Sequence, residues 1–243
     1  MNPIIKFYKS LPFNKVSNKL YCKQVNKSKT PWIQLDSCIE DSNDVLELGC
    51  GTGWLSNRIA NNYNIDVTGI DLLKENIDNA INYKNKNTEF FVEDILTTTR
   101  RADTIVSIGV LHHIPNQNIK NLIKHSVSLA NKYAFIGLYY KHSRDAVLEY
   151  FGTIPQDKRY KHFKKLTPWI TDDVQSKSWF RDQFEHPYEC SVTLEDFNIG
   201  VKHQCFGHYD KNSTLERINN GEFVSGFISV SYTHLTLPTI YSV

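Results

Sequence analysis

The chain has 243 residues, of which 40% are hydrophobic and 12% aromatic, and its formal net charge is +2 at pH 7. This composition excludes a wholly disordered chain and a nucleic-acid scaffold that works by bulk charge, and it predicts one domain with a sizeable core. The longest apolar runs fall far short of the roughly 20 residues of a membrane helix, and residues 1–9 lack the apolar stretch of a secretory signal. We therefore expect a cytoplasmic protein without a membrane segment.

The element pattern changes near residue 44. Residues 1–43 are rich in Lys and Asn, and we expect them to form a helical lead-in outside the core. From Asp44, short apolar runs alternate with stretches of helical periodicity, which is typical of an open, doubly wound α/β sheet with helices on both faces. Crossovers of this length favour parallel strands. Strands are predicted at 44–48, 65–70, 89–92, 103–108 and 132–139, with helices at 54–62, 73–83 and 117–130.

The alternation breaks after the fifth strand. Residues 141–190 are rich in Lys and aromatic residues and predict three short helices inserted at one edge of the sheet. Alternation returns weakly, with a helix near 194–198 and strands near 201–207 and 223–229. We expect residues 44–229 to form the folded domain.

The segment 230–243 differs in composition from the rest of the chain. It contains no Lys, Arg, Asp, Glu or Asn, and residues 230–239 match a translation of the adapter used in transposase-based sequencing libraries. We interpret residues 230–243 as a non-native tail, to be excluded from fold reasoning. A natural apolar edge strand is the alternative, and sequencing the gene from an independent template distinguishes the two.

The most specific motif begins in the first predicted strand and continues into the loop after it. Residues 45–53, VLELGCGTG, run from a strand into three glycines at alternate positions and then into a helix. Glycines there allow a tight turn and close approach of a ligand to the backbone. The G-x-G-x-G spacing differs from the G-x-G-x-x-G of hydride-transfer dinucleotide sites. Glu47, two residues before the first glycine, would repel a pyrophosphate but suits an ammonium or sulfonium ligand.

This loop and three later strand ends resemble the class I S-adenosylmethionine-dependent methyltransferases. The second strand ends in Asp71, the third leads to Asp94, and the fourth leads to residues 109–115, GVLHHIP. The resemblance covers residues 45–140 and implies a Rossmann-like fold with S-adenosylmethionine as cofactor. It implies that Asp71 binds the ribose hydroxyls and Asp94 the adenine amino group. The implied cofactor site contains Glu47, Gly49, Cys50, Gly51, Gly53, Asp71, Leu72, Asp94 and Ile95.

Each of these residues also has a purely structural interpretation. The glycines could form a tight turn of another α/β protein, Asp71 could cap the following helix, and Asp94 could be a turn residue. Cys50 is expected to be a small packing residue rather than a nucleophile.

His112 and His113 follow the fourth strand, at the sheet edge where open α/β sheets bind ligands. We take His112 as a candidate base for an acceptor that must lose a proton. The alternative is that the two histidines only shape the pocket.

The five cysteines are far apart, and no acidic residue stands beside the histidines at ligand spacing, so we expect no metal site.

A second polar cluster lies inside the insertion, where residues 179–189 match the pattern W-x-x-D-Q-x-x-H-P-x-E. It is similar to a stretch found in uncharacterised bacterial members of the same superfamily. Asp182 and His186 are spaced to share one helical face. With Arg181 they could form an acceptor-binding lid or a hydrogen-bonded clasp that packs the insertion onto the sheet.

The chain lacks the Asn-Pro-Pro-Tyr type motif with which related methyltransferases bind an amino group, and it lacks the Pro-Cys pair used for cytosine C5 methylation, so the resemblance disfavours both reactions. We therefore predict a methyltransferase acting on an oxygen, carbon or ring nitrogen of a small molecule. The alternatives are a tRNA modified-base methyltransferase and a non-catalytic, cofactor-binding partner subunit.

Residues 6–29 are basic and interleaved with aromatics, but their dispersed lysines favour a solvated helix face over an RNA-binding surface.

Overall fold

Seven strands form one sheet in the computed structural model, which describes residues 3–10, 25–26, 29–30, 32–114, 119–189, 191–207, 210–223 and 227–232. The first five are β1 (Asp44–Leu48), β2 (Asp66–Asp71), β3 (Thr88–Val92), β4 (Ala102–Ile108) and β5 (Ala130–Tyr139), and the last two are β6 (Gln204–Phe206) and β7 (Phe227–Tyr232). Their order across the sheet is β3-β2-β1-β4-β5-β7-β6.

The order of the strands reverses between β1 and β4. Strands β1 to β5 are parallel, whereas β7 runs antiparallel to both β5 and β6. The mostly parallel, doubly wound fold is as predicted. In such sheets the carboxyl ends of the two strands at the reversal diverge and leave a crevice that binds ligands.

Helices precede the sheet and connect its parallel strands. Before β1 lie α1 (Pro3–Ser10) and α2 (Ile33–Glu40). Between the strands lie α3 (Trp54–Tyr63), α4 (Lys74–Asn82) and α5 (Ile119–Ser128), which match the predicted helices within three residues at each end. Within the described ranges no helix is both long and apolar enough to cross a membrane.

Both faces of the sheet are covered because successive side chains of a strand point to opposite faces. Leu46 and Ile136 pack into the larger core with α5, whereas Val45 and Phe135 pack into the second core with α3. Leu35 and Ile39 of α2 are also fully buried in that second core. The prediction that residues 1–43 stay outside the core is therefore wrong for α2.

The insertion after β5 contains the three predicted helices, α6 (Lys141–Gly152), α7 (Gln156–Leu166) and α8 (Asp173–Phe184). Their apolar sides meet in a separate core that includes Phe151, Phe163 and Phe223. This core is separate from the two sheet cores, and because it includes Ile218 and Phe223 the insertion packs together with the C-terminal part beside the carboxyl end of β5.

The C-terminal part differs from the prediction in two ways. A helix, α9 (Lys211–Asn219), was not predicted, although its first turn is capped by Asp210, whose side chain accepts from the Ser213 N–H. The strand expected at 223–229 is β7, which extends to Tyr232. Val230 and Tyr232, inside the segment interpreted as a non-native tail, are fully buried and pair with Ile136 and Ala134 of β5. Residues 233–243 lie outside the described residues.

Candidate active site

A cavity of about 420 Å³ lies where the strand order reverses, at the carboxyl ends of β1, β2 and β4. This volume is within the range of sites for small molecules. We divide the lining residues into two groups and call each group an end of the cavity. The first end comprises the loop after β1 and the carboxylates where β1, β2 and β3 finish. The other end comprises the loop after β4, α8 and, unexpectedly, α1.

The loop after β1 is held against β2 by its backbone. The N–H groups of Gly49 and Cys50 both donate to the Ile70 carbonyl oxygen, at 2.8 and 2.9 Å. Gly49, Gly51 and Gly53 have φ values of +74°, +55° and +75°. Residues with a Cβ atom rarely adopt such positive φ values. The G-x-G-x-G spacing therefore reflects three left-handed positions in one turn.

The glycines of this loop differ in what surrounds them. We expect Gly53→Ala to lower the free energy of unfolding by about 2–4 kcal/mol, because the new Cβ would lie 2.7 Å from the Phe90 ring on a backbone with positive φ. Gly51→Ala should cost only roughly 1 kcal/mol of backbone strain, since its Cβ meets no atom within 4 Å.

Urea unfolding measures both differences. Gly152→Ala, at the end of α6 with no atom within 4 Å of its Cβ, is the matched control and should be neutral or slightly stabilising. Equal stabilities of the Gly53 and Gly152 variants would contradict the packing argument.

Glu47 lines the cavity from the end of β1 although only 6% of it is exposed. The Ser56 hydroxyl, on the first turn of α3, donates to its Oε2 atom. Burial raises the pKa of Glu47 to about 7, and the hydrogen bonds from Ser56 oppose this shift. Near neutral pH this carboxyl group therefore exists in both protonation states, and a cationic ligand would favour the charged one.

Asp71 and Asp94 line the same end of the cavity. Asp71 Oδ2 accepts from the Gly51 N–H at 3.0 Å, and its Oδ1 accepts from the Leu73 N–H at 2.8 Å, so it joins the glycine loop to the start of α4. Asp94 Oδ1 accepts from the Leu96 N–H at 2.9 Å. Asp94 has the turn role expected from the sequence, whereas the helix cap expected of Asp71 is wrong because the N-cap of α4 is Leu73 and Asp71 makes a turn contact before it. Both side chains also line the cavity.

The remaining residues of the implied cofactor site are placed as follows. Cys50, Leu72 and Ile95 line the cavity, whereas Gly53 is not among the described lining residues. Burial raises the pKa of Cys50 well above its ordinary value and keeps it a thiol. Cys50 packs with Phe90 in a small apolar cluster, in agreement with the expected packing role.

Four polar side chains from four parts of the chain meet at the other end of the cavity. Asp182 of α8, which is 4% exposed, accepts from the Tyr139 hydroxyl at 3.0 Å and from the Tyr8 hydroxyl of α1 at 3.1 Å. His113 lies with its Nε2 atom 3.8 Å from Asp182 Oδ1. Burial raises the pKa of Asp182, and the hydrogen bonds from the Tyr139 and Tyr8 hydroxyls oppose that shift.

The two adjacent histidines singled out in the sequence lie in this region, but only His113 is among the described lining residues of the cavity. His113 lines the cavity, and the ring of His112 packs against it at 3.9 Å between centroids. Among the described residues, neither ring nitrogen of His112 has a hydrogen-bond partner. His113, rather than His112, is therefore the candidate base after β4.

His186 lies next to His113, with its Nε2 atom 2.8 Å from His113 Nδ1. Burial lowers the pKa of His113 to about 3 and that of His186 to about 4, and the nearby Arg144 guanidinium contributes to both shifts. At neutral pH both imidazoles are therefore uncharged.

The W-x-x-D-Q-x-x-H-P-x-E segment makes the contacts expected of a clasp, and its role as an acceptor-binding lid stays a prediction. Asp182 faces the cavity, as a lid residue would, and it also ties the insertion to β5 through Tyr139. Arg181 is on the outer side, where its Nη1 donates to the Ser10 carbonyl oxygen at 3.0 Å and its Nε pairs with Glu185. The segment thus connects α8 to α1 and to the sheet.

Sequence reasoning missed the contribution of α1. Ile4, Ile5 and Tyr8 line the cavity, and Tyr8 reaches Asp182, which is 174 residues away in the chain. The apolar residues at i and i+4 spacing were a signal of a one-sided helix, but no local pattern indicates which surface that helix covers.

A family model described as a methyltransferase domain matches residues 22–181. The chain belongs to the methyltransferase-domain family. A malonyl-[acyl-carrier protein] O-methyltransferase of Ilyobacter polytropus is 37% identical over 224 residues, which cover 84% of this chain and 85% of that protein. A ubiquinone biosynthesis O-methyltransferase of Rickettsia typhi is 33% identical over 166 residues, which cover 65% of this chain. The match spans 60% of the Rickettsia protein.

Solved methyltransferase structures share the fold. The magnesium protoporphyrin IX methyltransferase of Synechocystis, with bound SAH, superposes with a TM-score of 0.55 at 15% identity, over 92% of this chain and 97% of that one. The plantazolicin methyltransferase BpumL, in complex with a monoazolic desmethylPZN analogue and SAH, gives a TM-score of 0.52 at 15% identity over 91% of each chain. The Rossmann-like methyltransferase fold is thereby confirmed.

Proposed function

We propose that this protein is an S-adenosylmethionine-dependent O-methyltransferase with a small-molecule acceptor. The observation that carries the proposal is a cavity in which a glycine loop and three carboxylates face one end and a cluster of polar side chains faces the other. Two kinds of ligand can therefore meet inside it. The two curated relatives named above are O-methyltransferases, which supports oxygen over carbon or ring nitrogen as the acceptor atom.

The residues at the first end fit the chemistry of S-adenosylmethionine. Glu47 offers a carboxylate to the ammonium group, and Asp71 offers two oxygens to the ribose hydroxyls, as the family resemblance implies. The open space beside Gly51 lets the cofactor approach the backbone, and a Cβ there would narrow it. Asp94 is assigned to the adenine amino group, with Leu72 and Ile95 as apolar contacts.

The second end is proposed to hold the acceptor, with His113 and Asp182 in the cavity wall and His186 supporting them. When bound, the cofactor supplies a methyl group to an acceptor oxygen that has lost its proton, and the electron pair of the broken C–S bond stays on sulfur. The chain's own part is to hold the acceptor in line and to exclude water. Ile4 and Ile5 of α1 provide apolar cover for this purpose.

The proposal is tested with S-adenosylmethionine labelled in its methyl group. We expect label to enter one or more members of a panel of phenols, carboxylic acids and acyl-carrier thioesters, and the product to be an ether or ester by mass spectrometry. Bulk tRNA included in the panel should remain unlabelled. Label in tRNA alone, or tight S-adenosylhomocysteine binding without transfer to any oxygen acceptor, would overturn the proposal in favour of the tRNA or partner-subunit alternative.

A further inference from the structure

His113, Asp182 and His186 form a cluster that the cofactor site does not use. One ligand atom from each of the three residues lies within 4.8 Å of the other two. His113 comes from the turn after β4, and the other two come from the end of α8 and the residues after it. The chain spacing that argued against a metal considered only neighbours in the sequence, whereas the fold brings His113 beside His186 from 73 residues away.

We propose that His113, Asp182 and His186 bind a divalent transition-metal ion at the acceptor end of the cavity. The inference rests on the proposed function for the role of the ion, but the binding site stands on its own geometry. Two imidazole nitrogens and one carboxylate oxygen suit zinc, iron or cobalt, whereas magnesium and calcium prefer oxygen ligands alone. Three protein ligands leave coordination positions open for a water or a substrate oxygen.

The surroundings of the cluster orient its ligand atoms. The Tyr139 hydroxyl donates to Asp182 Oδ2 at 3.0 Å, which leaves Oδ1 on the side of His113. His186 Nδ1 lies 3.3 Å from the Tyr188 carbonyl oxygen, so a proton on Nδ1 directs the lone pair of Nε2 toward the cluster. Such hydrogen bonds from the second ring nitrogen to a carbonyl are typical of metal-binding histidines.

The Tyr188 backbone nitrogen lies 3.1 Å from the same Nδ1 atom of His186. If the Tyr188 N–H donates to Nδ1, the ring proton of His186 must be on Nε2. In that tautomer His186 Nε2 donates to His113 Nδ1 at 2.8 Å and no ion is bound. An ion on Nε2 therefore requires the ring proton of His186 to be on Nδ1, and it replaces the hydrogen bond between the two histidines. The positive Arg144 nearby donates its Nη2 hydrogen to the Gln183 carbonyl oxygen, and its charge lowers the pKa of both histidines.

Tyr8 links the proposed ion to α1. Its hydroxyl lies 3.1 Å from Asp182 Oδ1 and 3.5 Å from His186 Nε2, which brings a fourth polar group to the same point. An acceptor hydroxyl bound to the ion would ionise more readily, and its proton would pass to water. The substrate class this favours is a small molecule that presents a hydroxyl or carboxylate oxygen to a cation.

The test uses the full chain freed of metal by a chelator and then titrated with Co²⁺, with Zn²⁺ as a competitor. We expect binding of one equivalent, with visible absorption bands of cobalt bound to nitrogen and oxygen. Asp182→Asn and His186→Gln should each weaken binding by roughly tenfold or more. His203→Gln, which changes an exposed histidine outside the cluster, is the matched control and should bind like the unaltered chain.

Binding of S-adenosylhomocysteine is measured on the same samples to show that each variant is folded. If this ligand binds but cobalt does not, or if Asp182→Asn binds cobalt as tightly as the unaltered chain, the metal inference is overturned and the proposed function stands. If cobalt binds as expected but the nucleoside ligand does not bind, the proposed function fails and the metal site is retained.

Discussion

Asp71→Ala is expected to lower the affinity for S-adenosylhomocysteine by roughly 100-fold or more. Two hydrogen bonds from ribose hydroxyls to a carboxylate are each worth about 1.5–3 kcal/mol, and a factor of ten in affinity corresponds to about 1.4 kcal/mol. The same substitution also frees the Gly51 and Leu73 N–H groups that now donate to the carboxylate. Isothermal titration calorimetry on the purified chain measures the loss.

Asp66→Ala provides the matched control because Asp66 begins the strand that Asp71 ends and its side chain is exposed. It should bind the ligand as the unaltered chain does. Asn76→Ala removes one donor to Asp71 Oδ1 while keeping the carboxylate, and should weaken binding by less than tenfold. If Asn76→Ala and Asp71→Ala were equally damaging, Asp71 would act by shaping the loop rather than by contacting ribose.

The affinity for S-adenosylhomocysteine is expected to depend strongly on pH. Because burial raises the pKa of Glu47 to about 7, the carboxyl group is mostly protonated at pH 6 and mostly charged at pH 8. A cationic ammonium group requires the charged form, so binding below pH 7 must expel a proton. We expect the affinity for S-adenosylhomocysteine to rise by about tenfold from pH 6 to pH 8, with release of about half a proton at pH 7.

Calorimetry in buffers of different ionisation enthalpy measures the number of protons that are released when the ligand binds. Glu47→Gln should bind more weakly at pH 8 and should lose the dependence on pH between 6 and 8, since its side chain has no proton to release. Ser56→Ala removes the hydroxyl that donates to Glu47 and stabilises the carboxylate, so it should move the midpoint of the transition to higher pH. A flat profile for the unaltered chain would show that Glu47 does not meet the ammonium group.

The parallel half of the fold could be predicted because its signals are local. Each strand from β1 to β5 is a short apolar run, and each helix between them has apolar residues on one side. The residues at the ends of β1, β2 and β3 then share one edge because parallel strands end on the same side of a sheet. For this reason the sequence alone assigns Glu47, Asp71 and Asp94 to one site, and all three line the same cavity.

The acceptor end could not be predicted to the same depth because it depends on contacts between distant segments. The turn at Leu111–His113 directs two adjacent histidine rings differently, and only the packing around β5 decides that His113 faces the cavity. The position of α1 depends on contacts with a segment more than 170 residues away, such as Tyr8 with Asp182 and Ser10 with Arg181. The helix α9 lacks a long apolar run, and its cap at Asp210 is a weak signal by itself.

The position of β7 has a consequence for how the protein is made. This strand follows β6 in the chain, yet it lies between β5 and β6 and pairs with both. While the ribosome is still adding residues before Phe227, β5 must present an unpaired edge, and such edges are templates for association with other chains. The sheet is therefore completed only after β6 and α9 have been synthesised, and growth at lower temperature or with added chaperones should increase the soluble yield.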